Sequence, residues 1–430
     1  MSRNFVFVTG LAMGLFWGAA AHRFFASGGD TWRRYEAVRE FVAEQFVRPV
    51  PREKLDDLAL KGMLAGLDSY SRFYDATETA EMARETEGRY RGIGIVLMRP
   101  LTEGRVLFTL PGSPAESSGL RVGDRVLEID GRPFESLAED EFRAELSKDS
   151  TEPARLRVRG LDGAERVLEV ARESVIEPTV RREQLVDERL GVGYLAVHSF
   201  SNETAGEFDA AFARLAARGM RALVVDLRGN GGGVLKSAVA IARRFVAEGV
   251  VVSTEGRRKS DVYTAEPALA LHRGFPLVVL VDEDSASASE VLAGALQDHR
   301  VAVVVGAPTW GKGTVQSIAS RQFERWGNAA KVTTSFYFTP AHRNLEHGEE
   351  AEFGIAPDVL VEPDETESRQ LHAYLARQAP PASALEALRA WERQEKRTLI
   401  DERPPDRALA AALGLFDGRR PDAAHVVSVR

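Results

Sequence analysis

Three short segments of the chain are built around runs of branched aliphatic residues, and each leads into small or glycine-rich residues. These segments are 222–228 (ALVVDLR), 276–283 (PLVVLVDE) and 302–307 (AVVVGA). A strand that is apolar on both faces has to be covered on both faces, which is typical of parallel sheets with crossover helices. The sequence therefore predicts an α/β core with helices between its strands.

Two kinds of region flank this core. Residues 89–173 contain short alternating strands, an Asp-Gly turn at Asp130 and Gly131, and one amphipathic helix, which predicts a compact module. Residues 30–88 and 366–430 have apolar positions at helical spacing, interrupted by prolines, and are predicted to be helical. We expect the last of these regions to be peripheral to the core.

The N-terminus departs from the average composition of the chain. Arg3 precedes an uncharged apolar run, residues 5–21, which is followed by His22 and Arg23. A positive start, an apolar centre and small residues at the end are typical of a secretory signal, and the run reaches the short end of a membrane span. We interpret residues 1–29 as an uncleaved signal anchor or a cleaved signal peptide, with a buried helix as the alternative. Either form of export places the remaining chain outside the cytoplasm.

Composition excludes several classes of function. The net charge is −8 and the pI is about 5.7, so the basic surface of a nucleic-acid-binding protein is not expected. The absence of cysteine excludes disulfides, thiolate nucleophiles, cysteine-zinc sites and iron–sulfur clusters. The eight histidines show no His-Glu-x-x-His spacing, so we expect neither a zinc peptidase nor any other metal site.

A glycine-rich loop follows the first apolar strand. Residues 226–233 read DLRGNGGG, with four glycines within five positions. Such a loop before a helix can direct backbone N–H groups at an oxyanion, whereas the simpler interpretation is a turn that needs conformational freedom. It is not a phosphate-binding loop of the usual type, because no Gly-Lys-Ser/Thr follows.

A serine-rich turn follows the second apolar strand, at residues 285–290 (SASASE). Ser287 and Glu290 have the spacing of a capping box, so helix capping alone explains them. The same geometry would also project the Ser287 hydroxyl outward as a nucleophile. The N–H of Ala288 would then lie at the positive end of the helix, where it could bind an oxyanion.

A lysine between two glycines follows the third apolar strand, in residues 306–316 (GAPTWGKGTVQ). Lys312 is either an exposed loop lysine or a general base whose pKa burial lowers toward neutrality. If a helical turn begins after Gly313, Gln316 faces the same side as Lys312 and can orient its amine. As an alternative to the lysine, His198 and His342 formally allow a Ser-His-Asp triad. The acidic residues 282–284 (DED) are expected to form a solvated loop.

In order along the chain, these segments resemble the carboxyl-terminal processing peptidases, or tail-specific proteases, which are PDZ-containing serine peptidases with a Ser–Lys dyad. The resemblance covers about residues 85–365. It rests on GIGI (92–95), GSPAESSGLRVGDRVLEIDG (112–131), DLRGNGGG (226–233), SASASEVLAGALQDH (285–299), GAPTWGKGTVQ (306–316), TTSFYFTP (333–340) and GIAPDVLVE (354–362).

The resemblance implies roles for individual residues. Ser287 would be the nucleophile, Lys312 the general base and Gln316 its supporting residue. The N–H groups of Ala288 and Gly231 would form the oxyanion hole, Gly231 being our first choice among the three consecutive glycines. The remaining implied roles concern the PDZ loop that receives a peptide C-terminus, formed by Gly92, Ile93, Gly94 and Ile95.

The resemblance also implies an architecture: a mixed α/β, crotonase-like protease core with an inserted PDZ domain and an N-terminal helical segment. The predicted divisions are a signal anchor or signal peptide (1–29), an N-terminal helical region (30–88), a PDZ domain (89–173), a serine peptidase core (174–365) and a C-terminal helical tail (366–430).

The implied function is that of a serine endopeptidase that cleaves polypeptides at or near their C-terminal tails, with the PDZ domain binding the tail and gating activity. The resemblance implies no cofactor, and it allows for a helical-repeat adaptor protein as a partner. The enzyme would be exported to the periplasmic face of the inner membrane, held there by the N-terminal segment or released by cleavage. The alternatives are a non-catalytic, membrane-anchored PDZ scaffold that binds protein C-termini, and a crotonase-type enzyme acting on small thioesters.

Overall fold

The structure is a computed structural model that describes residues 30–418, apart from residues 100, 149, 347–352, 363, 397 and 399–401. The predicted export segment, residues 1–29, lies outside the described residues. The described chain forms two compact units: residues 30–79 with 316–333, and residues 80–315 with 334–418. Within these residues, no helix has both the length and the apolar character needed to span a membrane.

The secondary structure mixes helices with short strands. The helices are α1 (30–45), α2 (Arg52–Ala65), α3 (Ala76–Thr86), α4 (Pro114–Ser117), α5 (Glu139–Ser147), α6 (Thr204–Ala217), α7 (Leu235–Ala242), α8 (Ala288–Asp298), α9 (Glu365–Ala376), α10 (Ala382–Glu395) and α11 (Arg407–Phe416). The strands are β1 (Arg72–Tyr74), β2 (Arg89–Gly92), β3 (Ile95–Leu97), β4 (Val106–Thr109), β5 (Arg125–Ile129), β6 (Arg132–Pro133), β7 (Ala154–Arg159), β8 (Glu165–Val170), β9 (Glu173–Ile176), β10 (Val180–Asp187), β11 (Val192–Val197), β12 (Ala222–Asp226), β13 (Val250–Gly256), β14 (Ser260–Thr264), β15 (Leu277–Val281), β16 (Val303–Gly306), β17 (Thr314–Ala319), β18 (Ala329–Phe338) and β19 (Val359–Leu360).

The first unit is mainly helical, as the sequence predicts. Helix α1 stops before Pro49 and Pro51, and α2 starts directly after the second proline, which cannot continue a helix but fits the start of one. The prediction misses β1, which pairs antiparallel with the start of β18. Phe73 of β1 is 3% exposed, so tertiary burial rather than local helical spacing decides this segment.

The predicted module after residue 88 consists mainly of short strands, and α5 is the longer of its helices. Strand β2 pairs with β9, β3 pairs with β4, and the third sheet has the order β6-β5-β7-β8. The alternating residues of β7, with Leu156 and Val158 fully buried, point into its core. This alternation explains why the strands are recognisable in the sequence.

The larger part of the second unit is built on a six-stranded sheet of order β10-β11-β12-β15-β16-β19. Strands β11, β12, β15, β16 and β19 are parallel, and β10 is an antiparallel edge strand. Every residue of β12 and β15 is buried. The predicted α/β core with buried parallel strands is therefore confirmed.

Different helices cover the two faces of this sheet. Helices α6, α7 and α8 bury one face, with Phe208, Ile241 and Leu292 in the core. Helices α9 and α11 bury the other face, through residues such as Leu371 and Leu409. The expectation that the C-terminal region is peripheral is wrong, because the second face of an all-apolar parallel sheet has to be covered.

Candidate active site

The carboxyl ends of β12, β15 and β16 lie side by side in the sheet, and each leads into one of the three predicted loops. Ligand and catalytic sites of open α/β sheets form at this edge. The order of the strands thus places DLRGNGGG, SASASE and GAPTWGKG next to one another, although the first segment starts at residue 226 and the last at residue 306.

Ser287 lies at the turn between β15 and α8, in a strained backbone conformation. Its φ is 58° and its ψ is −114°, which a residue with a side chain rarely adopts. Backbone strain of this kind costs about 1–3 kcal/mol and is found mostly at functional sites. The next residue, Ala288, is the first of α8 and is 2% exposed. The predicted nucleophile thus stands at a strained helix start, beside the N–H predicted for the oxyanion hole.

The glycine-rich loop packs directly against this turn. Gly232 has a φ of 100°, and a Cβ at this position would lie 2.8 Å from Ser287 Cβ and 3.0 Å from the Ala288 nitrogen. Only glycine fits there. The Gly232 N–H donates to Asn230 Oδ1 at 2.9 Å, whereas a Cβ at Gly231 would meet no atom within 4 Å. The Cβ side of Gly231 therefore faces open space, and the choice of Gly231 for the oxyanion hole stays a prediction.

Glu290 joins the serine turn to the lysine loop. Its Oε2 accepts the N–H groups of Ser287 at 2.7 Å and of Lys312 at 3.0 Å. Its Oε1 accepts the Thr309 hydroxyl at 2.6 Å and the Gly311 N–H at 2.7 Å. The backbones of the two predicted catalytic residues are thus held by one oxygen atom.

The electrostatics of Glu290 are unusual for a helix residue. The residue is fully buried, and burial raises the pKa of its carboxyl although four hydrogen bonds from the two loops oppose that rise. Tyr337 of β18 adds a hydroxyl 3.3 Å from Oε2. The sequence pattern identified Glu290 only as a capping partner of Ser287. The signal that could have revealed more is that this acidic residue directly precedes an apolar helical stretch, residues 291–296 (VLAGAL).

One sequence prediction is wrong here, and a second is only partly right. Gln316 does not begin a helical turn, because residues 314–319 form β17, which pairs with β18. Its side-chain amide donates to Thr333 Oγ1 at 3.2 Å. The predicted solvated acidic loop is right for Glu283 and Asp284, which are exposed, but not for Asp282, which is 5% exposed. Its carboxylate accepts the Gly229 N–H at 3.0 Å, which connects the serine loop with the glycine-rich loop a second time.

The four predicted peptide-binding residues come together around one cavity of about 940 Å³ in the PDZ module. Gly92, Ile93, Gly94 and Ile95 form one wall, and residues of α5 and α9 form the others. Gly94 has a φ of 82°, and a Cβ there would lie 2.2 Å from Ser113 Cβ. The loop conformation therefore requires glycine, and the cavity beside it is lined by residues of both β3 and α5.

Comparisons with known proteins identify the family of the chain. Residues 191–361 match peptidase family S41, and residues 79–159 match the PDZ domain. The carboxy-terminal-processing protease of Bartonella bacilliformis is 31% identical over 336 residues, which are 76% of this chain and 74% of that protein. A probable CtpA-like serine protease of Staphylococcus aureus is 31% identical over 333 residues, and this chain spans 64% of its length.

Among solved structures, the photosystem II D1 C-terminal processing protease is 29% identical, with a TM-score of 0.44, and the match covers 76% of this chain and 86% of that one. The mixed α/β fold and the PDZ domain predicted from the sequence are confirmed. The non-catalytic scaffold is not favoured, because the relatives are proteases. Since the Bartonella protein shares 31% identity over about three quarters of both chains, this chain belongs to the carboxy-terminal-processing proteases of peptidase family S41, which are serine-type peptidases.

Proposed function

We propose that Ser287 is the nucleophile and Lys312 the general base of an endopeptidase that cleaves polypeptides at or near their C-terminal tails. The observation that carries this proposal is the shared carboxylate oxygen of Glu290, which accepts the backbone N–H of both residues. A serine needs an adjacent base to become a nucleophile, and this contact holds the two segments together. Gln316 as the residue supporting the lysine amine stays part of the proposal on the resemblance alone.

The chemistry follows from these positions. Neutral Lys312 accepts the Ser287 proton while the serine oxygen attacks the scissile carbonyl. The N–H groups of Ala288 and Gly231 stabilise the resulting oxyanion, and protonated Lys312 donates its proton to the leaving amine. A water molecule, deprotonated by the same amine, then hydrolyses the acyl-enzyme. Every proton transfer is supplied by the dyad, so the proposed reaction includes no cofactor.

The PDZ groove supports the choice of a C-terminal tail as substrate. Backbone N–H groups of the Gly92–Ile95 loop are suited to a terminal carboxylate, and the extended peptide would add a strand beside β3. Its apolar lining, which includes Ile93, Phe142 and Leu146, would receive an apolar terminal side chain. Gating of the active site by an occupied groove, and delivery of substrate by a helical-repeat adaptor, are further parts of this proposal.

We also propose that the enzyme is exported and acts at the periplasmic face of the inner membrane. The support is the sequence of residues 1–29, with its basic start and uncharged apolar run. Fractionation of cells expressing the full chain, followed by protease treatment of intact and opened cells, tests the location. Recovery in the cytosolic fraction would contradict export, and the size of the mature chain distinguishes an anchor from a cleaved signal.

Catalysis is tested with the purified enzyme and an unstructured reporter polypeptide that ends in apolar residues. Ser287→Ala and Lys312→Ala are expected to lower kcat by on the order of 10³-fold or more, because each removes a member of the dyad. Lys259→Ala, at an exposed lysine of the β13–β14 hairpin, is the matched control and should keep full activity. Equal cleavage by all variants would refute the dyad, and tail binding without cleavage by the wild type would support the scaffold.

A further inference from the structure

The C-terminal segment, residues 364–418, begins just beyond residue 361, where the match to family S41 ends. Its helices α9 and α11 cover the second face of the parallel sheet, with Leu371, Leu375, Leu409 and Ala412 buried there. Covering a sheet requires only apolar contacts. Two polar side chains of this segment, those of His372 and Asp406, also contact residues of the proposed active-site loops.

Asp406 reaches the glycine-rich loop. Its two carboxylate oxygens accept hydrogen bonds from Arg228, each at 2.8 Å, and both side chains are about 5% exposed. Arg228 also donates to Asp226 at 2.6 and 2.9 Å, so one buried guanidinium is shared by a carboxylate of its own loop and one from the segment. Arg403 adds a second cation 3.0 Å from Asp406 and stacks over Tyr194 at 4.0 Å. Paired, buried and bidentate contacts of this kind are the strong ones.

His372 reaches the loop that carries the serine. Its Nε2 lies 2.7 Å from Asp282 Oδ2, and its Nδ1 lies 3.5 Å from Asp284. Asp282 in turn accepts the Gly229 N–H at 3.0 Å and the Ser285 hydroxyl at 3.1 Å. One carboxylate therefore connects His372 with the start of the serine turn and with the glycine-rich loop. The hydrogen bond to Asp282 raises the pKa of His372, which shows that the pair favours the charged imidazolium.

We propose that the C-terminal segment is part of the catalytic apparatus, with Asp406 and His372 acting as positioning residues that hold the glycine-rich loop and the serine turn in register. Neither residue touches the proposed reacting atoms. Asp406 acts through Arg228 on the loop that carries Gly231, and His372 acts through Asp282 on the turn that carries Ser287. The inference rests on the proposed function, since it assigns these loops to acyl transfer.

The test compares full-length Asp406→Asn, Asp406→Glu and His372→Gln with the wild type. We expect kcat on the reporter polypeptide to fall by on the order of 10- to 100-fold for Asp406→Asn and His372→Gln, because displaced catalytic groups lose rate rather than binding. KM should change by no more than about twofold. The rate at which a fluorophosphonate labels Ser287 should fall with kcat, and Asp406→Glu should recover part of both. All rates are expressed per folded molecule, measured by circular dichroism and unfolding curves.

Asp417→Asn is the matched control, because Asp417 directly follows α11 and its ion pair with Arg189 at 2.9 Å involves neither loop. If the control loses as much labelling rate as Asp406→Asn, or if the variants lose only folded fraction or only KM, the segment is merely structural and the inference is overturned. His372→Gln carries the test if Asp406→Asn does not fold, since the His372 side chain is 28% exposed. Cleavage that persists in Ser287→Ala would instead refute the proposed function itself.

Discussion

Replacing Glu290 by glutamine keeps the shape of the side chain but turns one acceptor oxygen into an NH₂ group. If the amide nitrogen took the place of Oε2, it would face two backbone N–H groups, those of Ser287 and Lys312. If it took the place of Oε1, it would face the Gly311 N–H and the Thr309 hydroxyl, which can rotate to accept. We therefore expect the second orientation, in which only the Gly311 N–H loses its partner.

The magnitude follows from counting hydrogen bonds. A buried N–H without a partner costs about 1–3 kcal/mol, and each of the remaining bonds loses about 1 kcal/mol of charge assistance. Removing a buried charge offsets part of this cost, because burial already raises the pKa of Glu290. We expect the free energy of unfolding to fall by about 2–4 kcal/mol for Glu290→Gln. It should fall by more for Glu290→Ala, which removes the acceptor of all five donors, the Tyr337 hydroxyl included.

The loss of activity should exceed the loss of stability. The backbones of Ser287 and Lys312 no longer share a charged acceptor, and displacements on the order of 1 Å lower kcat about 100-fold. Urea unfolding and steady-state cleavage of the same preparations measure the two effects, with Glu386→Gln on the exposed face of α10 as the matched control. If Glu290→Gln unfolds at the wild-type urea concentration and keeps the wild-type kcat, the carboxylate does not hold the two segments together.

Three other predictions concern single positions. Gly232→Ala places a Cβ 2.7 Å from the Ala286 oxygen and should lower kcat at least 10-fold more than Gly231→Ala, whose Cβ meets open space; equal kcat values would contradict this packing. Gly94→Ala should weaken the binding of a tail peptide, measured by fluorescence anisotropy, far more than Gly112→Ala, because Gly112 has a similar positive φ but no atom near its Cβ position. Equal binding by the two variants would contradict the clash at Gly94. Burial lowers the pKa of His198 to about 4, below the value of 6.5 in the unfolded chain. The unfolded chain therefore binds the proton first as the pH falls, and the free energy of unfolding decreases between pH 6.5 and pH 4. The urea-derived free energy of unfolding should drop by about 2 kcal/mol between pH 7 and pH 5, and His198→Gln should remove that part of the drop; an unchanged pH slope in the variant would refute the assignment.

Local patterns in the sequence predicted most of the fold because they reflect burial directly. Strands β12 and β15 are apolar at every position since both faces of the sheet are covered, and β7 alternates since one face is covered. The loop residues Ser287 and Lys312 were found because small and glycine residues mark the carboxyl ends of parallel strands. The roles proposed for Ser287 and Lys312 came from the resemblance of the ordered motifs to the family.

The contacts that the sequence did not predict join residues far apart in the chain. Asp406 is 178 residues from Arg228, and His372 is 90 residues from Asp282. No periodicity records such pairs, so Asp282 looked like a solvated acid and the C-terminal helices looked peripheral. The helical turn expected at Gln316 is absent for a related reason, because residues 314–319 form β17 through pairing with β18.

The buried guanidinium of Arg228 has a practical consequence for truncated versions of the enzyme. A chain that stops at residue 361, where the family match ends, would keep the cation and discard Asp406. Arg228 would keep the carboxylate of Asp226 but lose both of its hydrogen bonds to Asp406. Such a fragment would expose the apolar underside of its sheet at the same time. Recombinant versions of this peptidase therefore need to extend through α11 to be soluble and competent.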